Sequence, residues 1–527
     1  MPVSFQLADL WETLADAGPD AECLVVGNVR HTRRSLDAAA NRMAHTLLDR
    51  GVEPGDHVGV YARNRAEYVE SLLACWKIAA RPINVNWRYV AEEFRYVALD
   101  AVLRAVIVEP EFLPVVDAVT EQVPALANRI VLSDDGAAEV AAAPDGRGFG
   151  AGRSSDDVYM LYTGGTTGMP KGVMWRHEDF FYGCVMGGNP LAPIARPEDI
   201  AGHATPPVRL DALVLGPLMH GAGQWMTFIS LLSGNRAIVL DDPTFVPERV
   251  LDLIQRERPQ TVGLIGDAMG RPLAETVLAH PGRWDLSSLV NVGNGGAMLT
   301  ASVKDQLQEA FPGAVLADGF GASETGAAGS ARGRTGGGGP AFVSDGKTAV
   351  LDPETLEPLP PGSRSVGMLA RRGHIPLGYW NDPGKTAEVF RTDPNGVRWV
   401  VPGDHAMVDE EGRTVLLGRG SGCINTGGEK VFPEEVEAAV RSHPAVFDAV
   451  VVGVPHERFG EQVAALVSLR DPEGRIDLDD LQAHCRGTIA GYKVPRVLIV
   501  GEAPRTNVGK PDYARAKVLA AGHAANG

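Results

Sequence analysis

Val158-Tyr159-Met160-Leu161-Tyr162, followed by Thr163-Gly164-Gly165-Thr166-Thr167-Gly168-Met169-Pro170-Lys171-Gly172, is the stretch on which the reading of this chain turns. An apolar run opens into a short loop holding four glycines, three threonines and a lysine. Glycines let backbone N–H groups approach an anion with no Cβ in the way, hydroxyls add donors, and lysine adds a compact positive charge. That composition suits phosphate. A Walker A loop has Gly directly before Lys and Ser or Thr directly after it, whereas here Pro170 precedes Lys171 and Gly172 follows. The alternative is a glycine-rich surface turn, against which the threonine density and the lysine both argue.

At 527 residues the chain is too long for one core, so two or more domains are expected. A net charge of −17, from 49 Lys and Arg against 66 Asp and Glu, argues against a general nucleic-acid or anionic-membrane surface. The five cysteines, Cys23, Cys75, Cys184, Cys423 and Cys485, are scattered with no C-x-x-C pair and read as reduced thiols. The segment Met1 to Trp11 carries Asp9 and no basic run ahead of an apolar one, unlike a secretory signal. The longest apolar region, around Leu210 to Leu232, is broken by Asp211, His220 and Gln224, so no membrane insertion is expected. A soluble cytoplasmic protein is the expectation.

Helical and strand patterns alternate from Leu36 to Ile130: a helix near Leu36–Leu48, a strand His57–Tyr61, a helix Ala66–Ala80, a strand Ala105–Val108. Beyond the phosphate loop the alternation resumes with a helix Pro247–Glu257, a strand Thr261–Ile265 and a helix Ala301–Ala310. Such alternation predicts α/β layers. Arg332 to Pro340 reads as a loop, and Lys347 to Leu417 as short strands and turns. Glycines at 418, 420, 422, 427 and 428 mark a boundary, since glycine supplies backbone freedom where domains must reorient. Past it comes a unit of domain size: helix Pro433–Ser442, strands Ala449–Val454 and Gln462–Leu469, helix Leu478–Ile489, strand Val497–Val500, then a loop and a last helix.

The phosphate loop, with five further segments in order, resembles the acyl-adenylate-forming superfamily of acyl-CoA synthetases, peptide-synthetase adenylation domains and luciferases. The resemblance implies a nucleotide site of Thr163, Gly164, Gly165, Thr166, Thr167 and Gly168. In Asp318-Gly319-Phe320-Gly321-Ala322-Ser323-Glu324-Thr325 it implies adenine contacts at Asp318, Gly319, Phe320 and Ser323, with Phe320 stacking, and Mg²⁺ held by Glu324, a hard oxygen ligand. Asp404 resembles the ribose-binding Asp, Arg419 the Arg that contacts ribose or phosphate, and Lys510, between Gly509 and Pro511, the catalytic lysine of the C-terminal domain. Such a lysine neutralises charge developing in the transition state. His220 matches the His that positions the substrate carboxylate, and Lys171 shares the charge balance. Met219, Trp225, Gly295, Gly296 and Ala297 are expected to line the acyl pocket. Gly427, Gly428 and Lys430 match the segment at the pantetheine entrance, while Ser421 stands where many members carry a hinge Asp or Lys.

The fold expected is α/β, a large N-terminal domain with a β-subdomain (1–419) and a small mobile C-terminal α+β lid (420–527). The activity implied is ATP-dependent conversion of a hydrophobic carboxylic acid to acyl-AMP, then transfer to coenzyme A. Asn84-Val85-Asn86-Trp87-Arg88-Tyr89 and Arg372 to Tyr379 resemble bacterial synthetases for fatty, sterol side-chain or cyclic acids. Two alternatives stand beside it: amide formation with an amino acid, as in coronafacate-type ligases, and a binding protein without catalysis.

Overall fold

The computed structural model describes residues 3–149, 152–163, 169–297, 299–332, 341–363, 365–419, 422, 424–426, 429–456, 460–487, 489, 491–506 and 510–524. The centre of the N-terminal domain is an eight-stranded sheet ordered Gly326–Arg332, Val315–Ala322, Asn291–Asn294, Thr261–Leu264, Ala212–Val214, Ala237–Val239, Glu22–Val26, Val29–Thr32. The six inner strands pair in parallel and the two edges are antiparallel. A second, all-parallel sheet carries Arg81–Asn84, His57–Tyr61, Leu103–Val108 and Asn128–Val131. Parallel strands covered on both faces need apolar side chains at every position. His57–Tyr61 is buried along its whole length.

Between these sheets stands a small antiparallel one, Gly378–Tyr379, Lys171–Arg176 and Val158–Thr163. The region Lys347 to Leu417 forms an antiparallel sheet with Asp404–Val408 beside Thr414–Arg419. It also contains one helix the pattern did not suggest, Pro383–Val389, started by the Asp382 side chain accepting from Lys385 N with Pro383 in the first turn.

The small C-terminal domain is built on the hairpin Val446–His456 and Gly460–Leu469. Val451 and Val463 face one core with the helices Pro433–Arg441 and Leu478–Arg486, while Val450, Val452 and Leu466 face another with Ala516 and Ala520 of Tyr513–Ala524. Both faces are therefore covered, which explains the unbroken apolar run. The first strand exceeds the expected Ala449–Val454 because its polar ends, Asp448 and His456, still pair with Ser468 and Gly460. The helix expected over Ala66–Ala80 stops at Lys77, since Ala79 adopts φ 55° and turns the chain into the strand Arg81–Asn84. The glycine-rich run 333–340 lies outside the described residues.

Candidate active site

The phosphate segment is less of a loop than its composition suggests. Thr163 ends one strand and Lys171 begins the next, and the two residues are paired in register. Residues 164–170 lie between the strands, and of these Gly164, Gly165, Thr166, Thr167 and Gly168 fall outside the described residues. The Lys171 ammonium ion-pairs with Asp382 and lies 5.8 Å from the centre of the Tyr379 ring. The Tyr379 hydroxyl in turn donates to Glu324 Oε1 at 2.9 Å. Glu324 and Lys171, far apart in sequence, thus share one polar network.

The strand Val315–Ala322 places the adenine motif beside this network. Phe320 is partly exposed, and its ring is tilted at 60° against Phe342 with centroids 4.6 Å apart. Its packing ties the large sheet to the β-subdomain core of Val350, Leu369, Ala406 and Val408. The Asp318 carboxylate is engaged by Lys304 Nζ at 2.7 Å and by Asn294 Nδ2 at 2.8 Å. Asn294 also donates to the carbonyl of Ala297, so Asp318 braces the turn of Gly295, Gly296 and Ala297. That turn runs between strand and helix: a Cβ on Gly295 would lie 3.9 Å from the carbonyl of Gly319, and one on Gly296 3.9 Å from Ala222. Gly296 has φ 81°, a left-handed conformation that favours glycine. The Ser323 carbonyl accepts from Trp175 Nε1.

His220 caps the helix Gly221–Leu232. A Cβ on Gly221 would lie 3.0 Å from Leu161 and 3.1 Å from Trp225, so the helix begins against the strand that leads into the phosphate segment. Met219 is fully buried, and its carbonyl accepts from Asn84 Nδ2, which also bonds the carbonyl of Tyr162. Trp225 is partly buried against the main core.

Burial first, then the charges of Lys510 and Arg88, push the half-buried His220 imidazole down to about 4. Lys510 comes from the other domain. It closes a loop in which Thr506 N donates to the carbonyl of Lys510, Arg505 bridges to Pro511, and the Arg505 guanidinium grips Asp448. Arg88 stacks over Trp87 at 4.0 Å, with Arg63 over the same ring at 5.2 Å. Sequence reasoning quoted Arg88, Asn84 and Tyr379 only as marks of a branch and passed over Asp382. An arginine between two aromatic residues, Trp87 and Tyr89, was the signal available for Arg88.

Asp404 and Arg419, fifteen positions apart, are direct cross-strand partners. The side chains of Arg419 and Lys430 lie outside the described residues, as do Gly427, Gly428 and Ser421. Among the described residues no group of three or more His, Cys, Asp or Glu could hold a metal ion, and no helix is long and apolar enough to cross a membrane. Cys23, Cys75 and Cys184 are free thiols, and all three are buried, as is Cys485.

The AMP-binding enzyme family model matches residues 11–380, and that of the AMP-binding enzyme C-terminal domain matches 435–510. The chain is 42% identical over 540 residues to 3-oxocholest-4-en-26-oate--CoA ligase of Rhodococcus rhodochrous, covering 98% of this chain and 96% of that one. It is 43% identical over 536 residues, with the same coverage, to the medium/long-chain-fatty-acid--CoA/3-oxocholest-4-en-26-oate--CoA ligase of Mycobacterium tuberculosis. The ATP-bound structure of MatB from Rhodopseudomonas palustris superposes with a TM-score of 0.81 at 26% identity, covering 98% and 99% of the two chains. The chain belongs to the AMP-binding enzyme family, with its large N-terminal domain and its small C-terminal domain both represented.

Proposed function

We propose that this protein is an ATP-dependent, AMP-forming acid–CoA ligase for a bulky hydrophobic carboxylic acid, of the sterol side-chain or medium- to long-chain fatty type. Two relatives at 42% and 43% identity over nearly the whole chain carry that activity in their names. The observation in the structure that carries the reading is at His220. A neutral imidazole lies in the field of two cations, Arg88 from the N-terminal domain and Lys510 from the C-terminal one. Such a spot attracts a carboxylate, and the charge of a lysine from the second domain reaches it.

In the first half-reaction a carboxylate oxygen attacks the α-phosphorus of ATP. The bond to the β-phosphate breaks, and pyrophosphate leaves. His220, uncharged, orients the carboxylate by hydrogen bonding; Lys510 offsets charge accumulating between carboxylate and α-phosphate, and Lys171 meets the departing phosphates. Phe320 offers an apolar face to adenine, and Asp404 and Arg419 are assigned to the ribose by the family resemblance. Mg²⁺ would be held by Glu324 together with phosphate oxygens, and would supply charge neutralisation. The fit is chemical: the Tyr379 hydroxyl orients a single hard carboxylate, and Mg²⁺ is commonly bound through one or two carboxylates plus substrate phosphates. The C-terminal domain, hinged after Arg419 near 420, then turns to withdraw Lys510 and open the path past Gly427, Gly428 and Lys430. The thiol of coenzyme A attacks the acyl carbon, and AMP leaves.

The test is a panel of sterol side-chain, fatty and aromatic acids read by pyrophosphate release, repeated with coenzyme A and with free amino acids. The expected result is acid-dependent pyrophosphate release, greatest for the bulky hydrophobic acids, and a thioester with coenzyme A. An amide in place of the thioester would move the assignment to an amide-forming ligase. No pyrophosphate with any acid would overturn it.

A further inference from the structure

We propose that Asp382 is a positioning residue for the phosphate step: its carboxylate holds Lys171 beside the phosphate segment and competes with the phosphates of ATP for that ammonium. This rests on the reading of Thr163–Gly172 as the ATP phosphate loop. Nothing in the loop's own composition points to a carboxylate 211 positions away. The sheet brings it there. Gly378 and Tyr379 pair with Met174 and Val173, and Trp380 N then donates to the carbonyl of Gly172 at 2.7 Å, so the chain runs back along the strand toward Lys171. Asp382 follows at the start of the helix Pro383–Val389.

The carboxylate divides its oxygens. Oδ1 accepts from Lys385 N at 2.8 Å and caps the helix, while Oδ2 takes the Lys171 ammonium. Lys171 and Lys385 both hold Asp382 below the usual carboxylate range, the hydrogen bond from Lys171 foremost. With the Tyr379 ring 5.8 Å from the ammonium, Lys171 is aimed between a carboxylate and an aromatic face. The two side chains are 37% and 34% exposed, so the pair is weak enough for a triphosphate to displace. It still counts in the balance, since every phosphate that takes Lys171 must take it from Asp382. When pyrophosphate departs the carboxylate recovers the ammonium, which eases release. Asp382 thus loosens both ATP and pyrophosphate.

Asp382→Asn removes the charge and keeps a capping oxygen, because Asn ranks with Asp at this helix position. The dissociation constant for ATP, measured by calorimetry, should fall about two- to fivefold, the range of an exposed ion pair. The inhibition constant for pyrophosphate should fall by a similar factor while the KM for the acid stays put, and the gap from wild type should narrow as salt is raised. Asp382→Ser, which also caps, should move the constants in the same direction, and Asp382→Glu should remain close to wild type. A purely structural role would lower the melting temperature and shift ATP, pyrophosphate and acid constants together. ATP binding that is unchanged or weaker in both Asn and Ser variants overturns the proposal. A wild-type enzyme that binds ATP yet releases no pyrophosphate with any acid overturns the functional reading instead, and calorimetry separates the two.

Discussion

His220 and His177 show what burial does to an imidazole, and they do it with different consequences. Burial brings His220 down to about 4, aided by Lys510 and Arg88, so the ring is uncharged at neutral pH. His177 is 1% exposed and burial alone brings it to about 3. Its Nδ1 accepts from Leu7 N at 3.2 Å, so protonation there would also break that bond. Both folded values lie below the unfolded value of roughly 6.5, hence the unfolded chain binds the extra protons as pH falls. The sign follows: stability from this source is complete above pH 6.5 and is lost on acidification toward 3 to 4. For His177 the loss at pH 5 is about 2 kcal/mol. Urea unfolding followed from pH 5 to 7.5 should show stability rising with pH, and His177→Asn should flatten the rise. An unaltered slope in that variant would remove His177 as its source.

At the scale of elements, one helix start is fixed by close backbone packing. The helix Gly221–Leu232 crosses the preceding segment so closely that a Cβ on Gly223 would lie 2.4 Å from the carbonyl oxygen of Pro217 and 2.8 Å from that of Gly216. Alanine within a helix gains about 1 kcal/mol over glycine, whereas overpacking against fixed backbone costs about 1 to 3. The clash wins. Gly223→Ala should lower the melting temperature and raise the KM for the acid several-fold through displacement of His220, with ATP binding little changed; equal effects on both substrates would point elsewhere. Such elements explain how far the sequence could be read. The helices Pro247–Glu257 and Ala301–Ala310 and the strand His57–Tyr61 have the bounds their periodicity predicts, because each answers to local pattern alone. The pairing of Asp404 with Arg419 was legible as a spacing and is explained by a hairpin. What could not be read was long-range: the carboxylate of Asp382 reaching Lys171, Tyr379 reaching Glu324, and Lys304 reaching Asp318 each depend on sheet order. The helix Pro383–Val389 was missed although its Asp-Pro start was in plain view, since it is brief and set among strands.

The whole molecule is a large N-terminal and a small C-terminal domain, and the seam between them carries a charge arrangement that bears on how the small domain is held. Arg470 of the C-terminal domain ion-pairs with Glu275 of the helix Asp267–Ala279 at 2.9 Å. One turn earlier on that helix stands Arg271, 2% exposed, with Nη1 and Nη2 buried and without a hydrogen-bond partner among the described residues. Asp267 approaches it only to 3.7 Å. Burial, ahead of the nearby charges, lowers the Arg271 pKa, as expected of a guanidinium short of partners. Glu275 lies four residues on, the helical spacing at which an acid and a base meet. While Arg470 holds Glu275, Arg271 goes without it; were the C-terminal domain to turn away as in the proposed cycle, Glu275 would become available to Arg271. The seam pair therefore favours the arrangement seen here, with Lys510 near His220, and the waiting arginine favours departure. With side chains 32% and 42% exposed the Arg470–Glu275 pair is a weak fastening, worth about 0.2 to 1 kcal/mol. Arg470→Gln should slow acid-dependent pyrophosphate release by a factor of about 1.5 to 5, the same energy expressed as a rate. Thioester formation from preformed acyl-AMP should hold steady or quicken, because that step needs the domain released. Glu275→Gln combined with Arg470→Gln should slow the first step no further than Arg470→Gln alone, since both remove one pair. Independent, additive losses in the double variant, or equal slowing of both half-reactions, would show that the seam does not set the position of the C-terminal domain.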